Sequence, residues 1–74
     1  MKVRLFGVIA EAAGSELLEI DAASTRELRD RLEQRLDRPG AYNYSIAVDR
    51  RIVQDDLPLE GHEEIAVLPP FSGG

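Results

Sequence analysis

Ser24-Thr25-Arg26-Glu27-Leu28-Arg29-Asp30-Arg31-Leu32-Glu33-Gln34-Arg35-Leu36 is the stretch that decides the fold of this 74-residue chain. Ser24 and Glu27 form a capping box, in which a hydroxyl and a carboxylate accept from amides that a helix start leaves without partners. Leu28, Leu32 and Leu36 follow at four-residue spacing and make one apolar stripe. Glu27 and Arg31 pair one turn apart on the exposed side. Pro39-Gly40 is expected to stop the helix. A single amphipathic helix cannot bury its stripe alone, so the rest of the chain must supply an apolar surface.

Short alternating runs supply it. Residues 2–9 place Val3 and Leu5 on one face of a strand and Lys2, Arg4 and Phe6 on the other. Ala10 to Ser15 reads as a turn containing Gly14. Leu18 and Ile20 flank Glu19 in a second run, which suggests a hairpin with the first strand. After a loop through Tyr42 and Tyr44, Ser45–Asp49 turns Ile46 and Val48 inward. Arg50-Arg51 reads as a turn into a short strand at Ile52-Val53, and Glu64 to Leu68 turns Ile65 and Val67 inward. The order β-β-α-β-(β)-β gives an α+β fold, a mixed sheet of four to five strands packed on one main helix. Residues 1–68 form this domain, and residues 69–74 form an extended tail that protrudes from it.

Composition excludes several functions. The chain has no cysteine, so it holds neither a disulfide framework nor a thiolate metal site, and it lacks the usual side chain for carrying sulfur. A net charge of −5 argues against nucleic acid, which needs clustered Lys and Arg. No run of residues approaches the length of a membrane span, and Met1-Lys2-Val3-Arg4 lacks the apolar segment of a signal peptide. A cytoplasmic location is expected. His62 reads as a surface residue in a turn. Asp55-Asp56 and Glu63-Glu64 read as solvated charges without companions for metal binding or general acid–base work.

Two features remain. Phe6 and Leu68 are large apolar residues on strand faces that should meet water, and if the first and last strands are neighbours they share one surface, with Ile52 as a third member. The alternative is that Phe6 tucks beneath the loop carrying Tyr42 and Tyr44. The second feature is the ending Pro69-Pro70-Phe71-Ser72-Gly73-Gly74. Proline stiffens its start, and two residues without Cβ leave a carboxylate on a narrow stem. Four residues beyond Pro70, fully extended, reach roughly 13 Å, enough to enter another protein's active site.

The stretch Glu64–Gly74 resembles the C-terminus of the small, MoaD-type subunit of molybdopterin synthase, a ubiquitin-like β-grasp sulfur carrier. Lys2–Gly7 is similar to that family's opening strand, Glu11–Gly14 to its following turn, and Ile46–Asp49 to its third strand. The resemblance implies that the Gly74 carboxylate, next to Gly73, is the reactive group. A ubiquitin-activating-like adenylyltransferase activates it with ATP, and a sulfur donor converts it to a thiocarboxylate. The tail then threads into the synthase large subunit and gives its sulfur to a cyclic pyranopterin precursor, within a heterotetramer. No cofactor or metal would be resident. Phe6, Ile52 and Leu68 match positions that pack against partners in that family, and Pro69, Pro70, Phe71 and Ser72 are expected to bind the partner as the tail enters it. Ala10 stands where an arginine is frequent, and Asp49 where Asn is frequent. Two alternatives share the Gly-Gly end: a sulfur carrier of the thiamine thiazole type, and a ubiquitin-like modifier that forms isopeptide bonds on lysines.

Overall fold

The computed structural model describes residues 1–70. Its elements run β1 (Lys2–Leu5), α1 (Gly7–Ala13), β2 (Leu17–Glu19), α2 (Thr25–Glu33), β3 (Ser45–Val48), β4 (Arg51–Val53) and β5 (Ile65–Leu68). The five strands form one sheet in the order β2-β1-β5-β3-β4. β1 and β5 are parallel, and every other neighbouring pair is antiparallel, which makes the sheet mixed as expected.

One face of the sheet packs on α2. Val3, Ile46 and Val67 are fully buried, with Leu5 and Ile65 nearly so, and they meet Leu28, Leu32 and Leu36 across the core. Burial at roughly 25 cal/mol per Å2 of apolar surface is what holds a domain of this size together. The capping box forms. Ser24 Oγ accepts from the Glu27 amide at 3.1 Å, and Glu27 Oε1 accepts from the Ala23 amide at 3.1 Å. The pair between Glu27 and Arg31 is present at 3.6 Å.

Four expectations need correction. The strand read over residues 2–9 ends at Leu5, and the segment read as a turn is helix α1. Ile9 and Ala12, three apart, are its buried positions, and Gly14 ends it with φ 74°. The apolar Val8-Ile9 pair continues a strand pattern, and only tertiary burial of Ile9 and Ala12 selects the helix. α2 ends at Glu33, before Pro39-Gly40, and Leu36 reaches the core from the turn that follows, where the Arg35 and Leu36 amides donate to the carbonyls of Leu32 and Glu33. The tight turn after β3 is Asp49-Arg50, one residue earlier than read. Both have positive φ, 49° and 70°, the geometry of the hairpin turn whose twist matches the flanking strands. Ala47 is buried although it faces away from α2, and Val48 is half-buried.

The acidic pairs are not all idle surface charge. Asp56 Oδ1 accepts from the Arg26 amide at 3.0 Å and from Thr25 Oγ1 at 3.2 Å, so it caps the start of α2 from the loop after β4. Thr25 Oγ1 in turn accepts from the Leu57 amide at 2.9 Å. Glu63 accepts from the amides of Glu60 (2.7 Å) and Gly61 (2.9 Å), and those bonds hold its carboxyl below the usual carboxylate range. No buried side-chain polar atom lacks a hydrogen-bond partner among the described residues.

Candidate functional site

The outer face of the sheet, away from α2, carries the candidate site. β1 and β5 are neighbours, with Leu5 opposite Val67, so Phe6 and Leu68 stand side by side. The Phe6 amide donates to the Val67 carbonyl at 3.2 Å and fixes that junction. Phe6 is 44% exposed, which overturns the tucked alternative: Tyr42 and Tyr44 pack on the core instead. Leu68 is half-buried, and Ile52 is 50% exposed. Ile52 shares the face with the other two but lies on the far edge strand, beyond β3 and β5.

The chain departs from this corner. β5 ends at Leu68, Pro69 is half-buried and Pro70 is exposed. The readings that fall on Phe71, Ser72, Gly73 and Gly74 lie outside the described residues. Pro69 leans on Gly7. A Cβ at Gly7 would come within 3.2 Å of Pro69 Cγ, and Gly7 has φ 57°, where a side chain is disfavoured. Gly7 therefore does two things. It turns the chain from β1 into α1, and it leaves room for the proline that starts the tail.

Three further residues belong to the same surface and were missed in the sequence. Leu17 is 44% exposed and sits opposite Arg4 in the β1–β2 register. The alternation that buries Leu18 and Ile20 also turns Leu17 outward, so the signal was there. Val8 is exposed on α1, a position hidden by reading that segment as strand. Arg4, exposed between Leu17 and Ala66, is a charge within the apolar half of the face. A cleft of about 520 Å3 beside Phe6 is lined by Arg4, Gly7, Val8, Glu11 and Glu16 among others.

Among the described residues no group of three His, Cys, Asp or Glu side chains could hold a metal ion. His62 is exposed in its turn, with Nε2 2.8 Å from Glu60 Oε2, and that bond raises its pKa above the ordinary imidazole value. Tyr44 donates to Glu33 Oε2 under the guanidinium of Arg29, which lies 5.2 Å from the ring centroid. Burial first, and the Glu33 bond second, push the Tyr44 pKa well above the ordinary phenol value. Tyr44 and Glu33 brace the loop before β3, whose Ser45 pairs with Leu68 at the end of β5. Among the described residues no helix is long and apolar enough to cross a membrane. The arrangement suits docking followed by delivery of an end.

Comparison with known proteins gives the chain its relatives. A family profile described as the ThiS family matches residues 3–74. A search of the curated proteins finds no match. Among solved structures, subunits 1 and 2 of molybdopterin-converting factor from Helicobacter pylori, solved as a protein–protein complex, include a chain 30% identical to this one. The TM-score is 0.70, with 99% of this chain and 96% of that chain covered. SAMP1 from Haloferax volcanii superposes with TM-score 0.76 at 23% identity, over 99% of this chain and 97% of that one. A second structure, of H. volcanii small archaeal modifier protein 1, gives TM-score 0.77 at 20% identity, over 95% of each chain. At those identities the two archaeal structures speak for the fold alone, and the fold is the ubiquitin-like β-grasp. The match along nearly the whole length is to one family, and this chain belongs to the ThiS family of ubiquitin-like sulfur carriers.

Proposed function

We propose that this protein carries sulfur for molybdopterin synthesis as the small subunit of a molybdopterin synthase. The observation that carries the reading is the 30% identity, across 99% of this chain, to a chain of a molybdopterin-converting factor complex of subunits 1 and 2. The geometry suits the role. An exposed Phe6 and a half-buried Leu68 stand where β5 runs out into Pro69, so a partner that covers them lies beside the origin of the tail. Phe6, Ile52, Leu68, Pro69, Pro70, Phe71 and Ser72 form the docking surface and stem, and Gly73 and Gly74 form the reactive end.

In this reading an adenylyltransferase joins the Gly74 carboxylate to AMP from ATP and releases pyrophosphate. A sulfur donor then displaces AMP and leaves a thiocarboxylate. A free carboxylate is a poor electrophile, so activation must come first. A chain without cysteine lacks the usual side chain for carrying sulfur, which fits a backbone terminus as the carrier. The large subunit receives the tail, and the sulfur attacks the cyclic pyranopterin precursor. Two deliveries complete the dithiolene. The two partners work in the cytoplasm, and in the assembled synthase each end of a large-subunit dimer holds one small subunit.

The family match covers the chain without naming an acceptor, which leaves thiazole synthase as a second acceptor for the same thiocarboxylate. The deciding experiment supplies thiocarboxylated protein to the synthase large subunit with the pterin precursor, and in parallel to thiazole synthase. Dithiolene formation in the first reaction supports the proposal. No conversion by a large subunit that is active with its own carrier refutes it.

A further inference from the structure

The β-ladder aligns one outer-face residue from each strand in a single row: Leu17, Arg4, Ala66, Ala47 and Ile52. Large side chains stand at both edges of this row, and two methyl groups occupy its middle. Neighbouring strands lie about 4.8 Å apart, so Arg4 and Ile52 stand about 14 Å apart across an alanine floor. Phe6 and Leu68 close the trough at the tail end. The ion pair of Arg50 and Glu64, at 3.5 Å, closes the other end. Ala47 is only 6% exposed, so half-buried Ala66 is the accessible part of this floor, and a large side chain of a partner that contacts it sits between Arg4 and Ile52.

The charges on this face are not equivalent. Glu19 pairs with the Met1 amine at 3.3 Å, Glu64 pairs with Arg50, and Asp49 Oδ1 accepts from the Glu64 amide at 2.9 Å. Among the described residues neither Arg4 nor Lys2 on this face enters an ion pair, and of the two Arg4 is the one beside Ala66; Glu11 and Glu16, which line the cleft beside it, stand beyond pairing distance. A partner that covers the face must desolvate this guanidinium, and doing so against apolar groups alone is costly. A carboxylate in bidentate contact offsets that cost.

We propose that the partner docking here seats one large apolar side chain on the Ala66–Ala47 floor and places a carboxylate beside it, against Arg4. The inference rests on the carrier reading and names the recognition element expected on the large subunit. Arg4 is then the residue that gives the apolar docking face its specificity.

Calorimetric titration of untagged protein into the large subunit tests the proposal. Reversing the charge with Arg4→Glu is expected to weaken binding about a hundredfold, and Arg4→Lys to keep it within about fivefold. Ala66→Leu, which fills the floor on a half-exposed face, is expected to weaken binding more than about tenfold at an unchanged melting temperature. Wild-type affinity should fall with added salt, and that dependence should flatten in Arg4→Gln, which also serves if Arg4→Glu does not fold. Wild-type binding that Arg4→Glu and Ala66→Leu leave untouched overturns this inference alone. Wild-type protein that does not bind the large subunit at all overturns the carrier reading, and this inference with it.

Discussion

Ile46 and Ile52 are the same residue on two strands of one hairpin, and they do opposite work. Ile46 faces α2 with no exposed surface, whereas Ile52 faces outward with half of its surface in water. The two faces of the sheet differ in the same way throughout. The inner face is apolar and buried from β2 to β3 and opens only at the β4 edge, where Val48 and Val53 are half-buried and Arg51 is exposed, so it stores stability. The outer face combines exposed Phe6, Leu17 and Ile52 with Arg4, which enters no ion pair among the described residues, around small Ala66 and Ala47, so it stores affinity. A strand places successive side chains on opposite faces, and a chain this short thus builds a core and a docking surface from the same residues' neighbours.

The comparison can be broken first at its strongest point. Ile46→Ala should cost about 2–5 kcal/mol of unfolding free energy, a large share of the 5–15 kcal/mol typical of a domain. Ile52→Ala should cost less than about 1 kcal/mol. Urea unfolding of both variants checks the pair, and equal losses would show that Ile52 is a core residue after all. Phe6→Ala should likewise leave stability within about 1 kcal/mol while weakening large-subunit binding at least about tenfold, read by titration.

Smaller effects sharpen the account at the junctions. Gly7→Ala should cost about 1–2 kcal/mol, from the left-handed backbone and the approach of Pro69, and should slow sulfur transfer beyond what its binding affinity explains. Single-turnover rates with saturating large subunit measure that separately from docking. Arg50→Gly should stabilise the protein by about 0.5–1 kcal/mol, because Arg50 holds φ 70° in the hairpin turn and its exposed pair with Glu64 contributes little. Denaturant unfolding midpoints give the sign. The smallest effect is a pH dependence. The Glu60 bond raises the His62 pKa in the folded protein, so its stabilisation is complete below the unfolded value of about 6.5 and disappears as pH rises through the folded value. Both groups are exposed, and His62→Gln should alter the melting temperature only slightly on the acidic side of that range and not at all on the alkaline side.

Much of this was legible in the chain. Ser24 and Glu27 announce α2 because a capping box is a local interaction that needs no tertiary support. Val3, Leu5, Ile65 and Val67 announce the buried faces because alternation directly encodes a half-buried strand. The adjacency of Phe6 and Leu68 followed once β1 and β5 were placed side by side. Helix α1 was not legible, since seven residues without a side-chain cap carry little local helix signal and Val8-Ile9 extends the preceding strand pattern. The Asp49-Arg50 turn was misplaced by one residue because it lacks the glycine that usually marks left-handed turn positions. Asp56 capping α2 joins residues thirty positions apart, and the absence of an ion pair at Arg4 among the described residues is a property of three-dimensional neighbours. Neither leaves a mark on local sequence.

The central claim is that the terminal carboxylate of Gly74 carries sulfur. The most direct measurement is the intact mass of untagged protein co-expressed with its adenylating enzyme and a sulfur source. The account predicts a gain equal to the exchange of one oxygen for sulfur, mapped to Gly74. An unchanged mass, alongside demonstrable adenylating activity toward this chain, would contradict it.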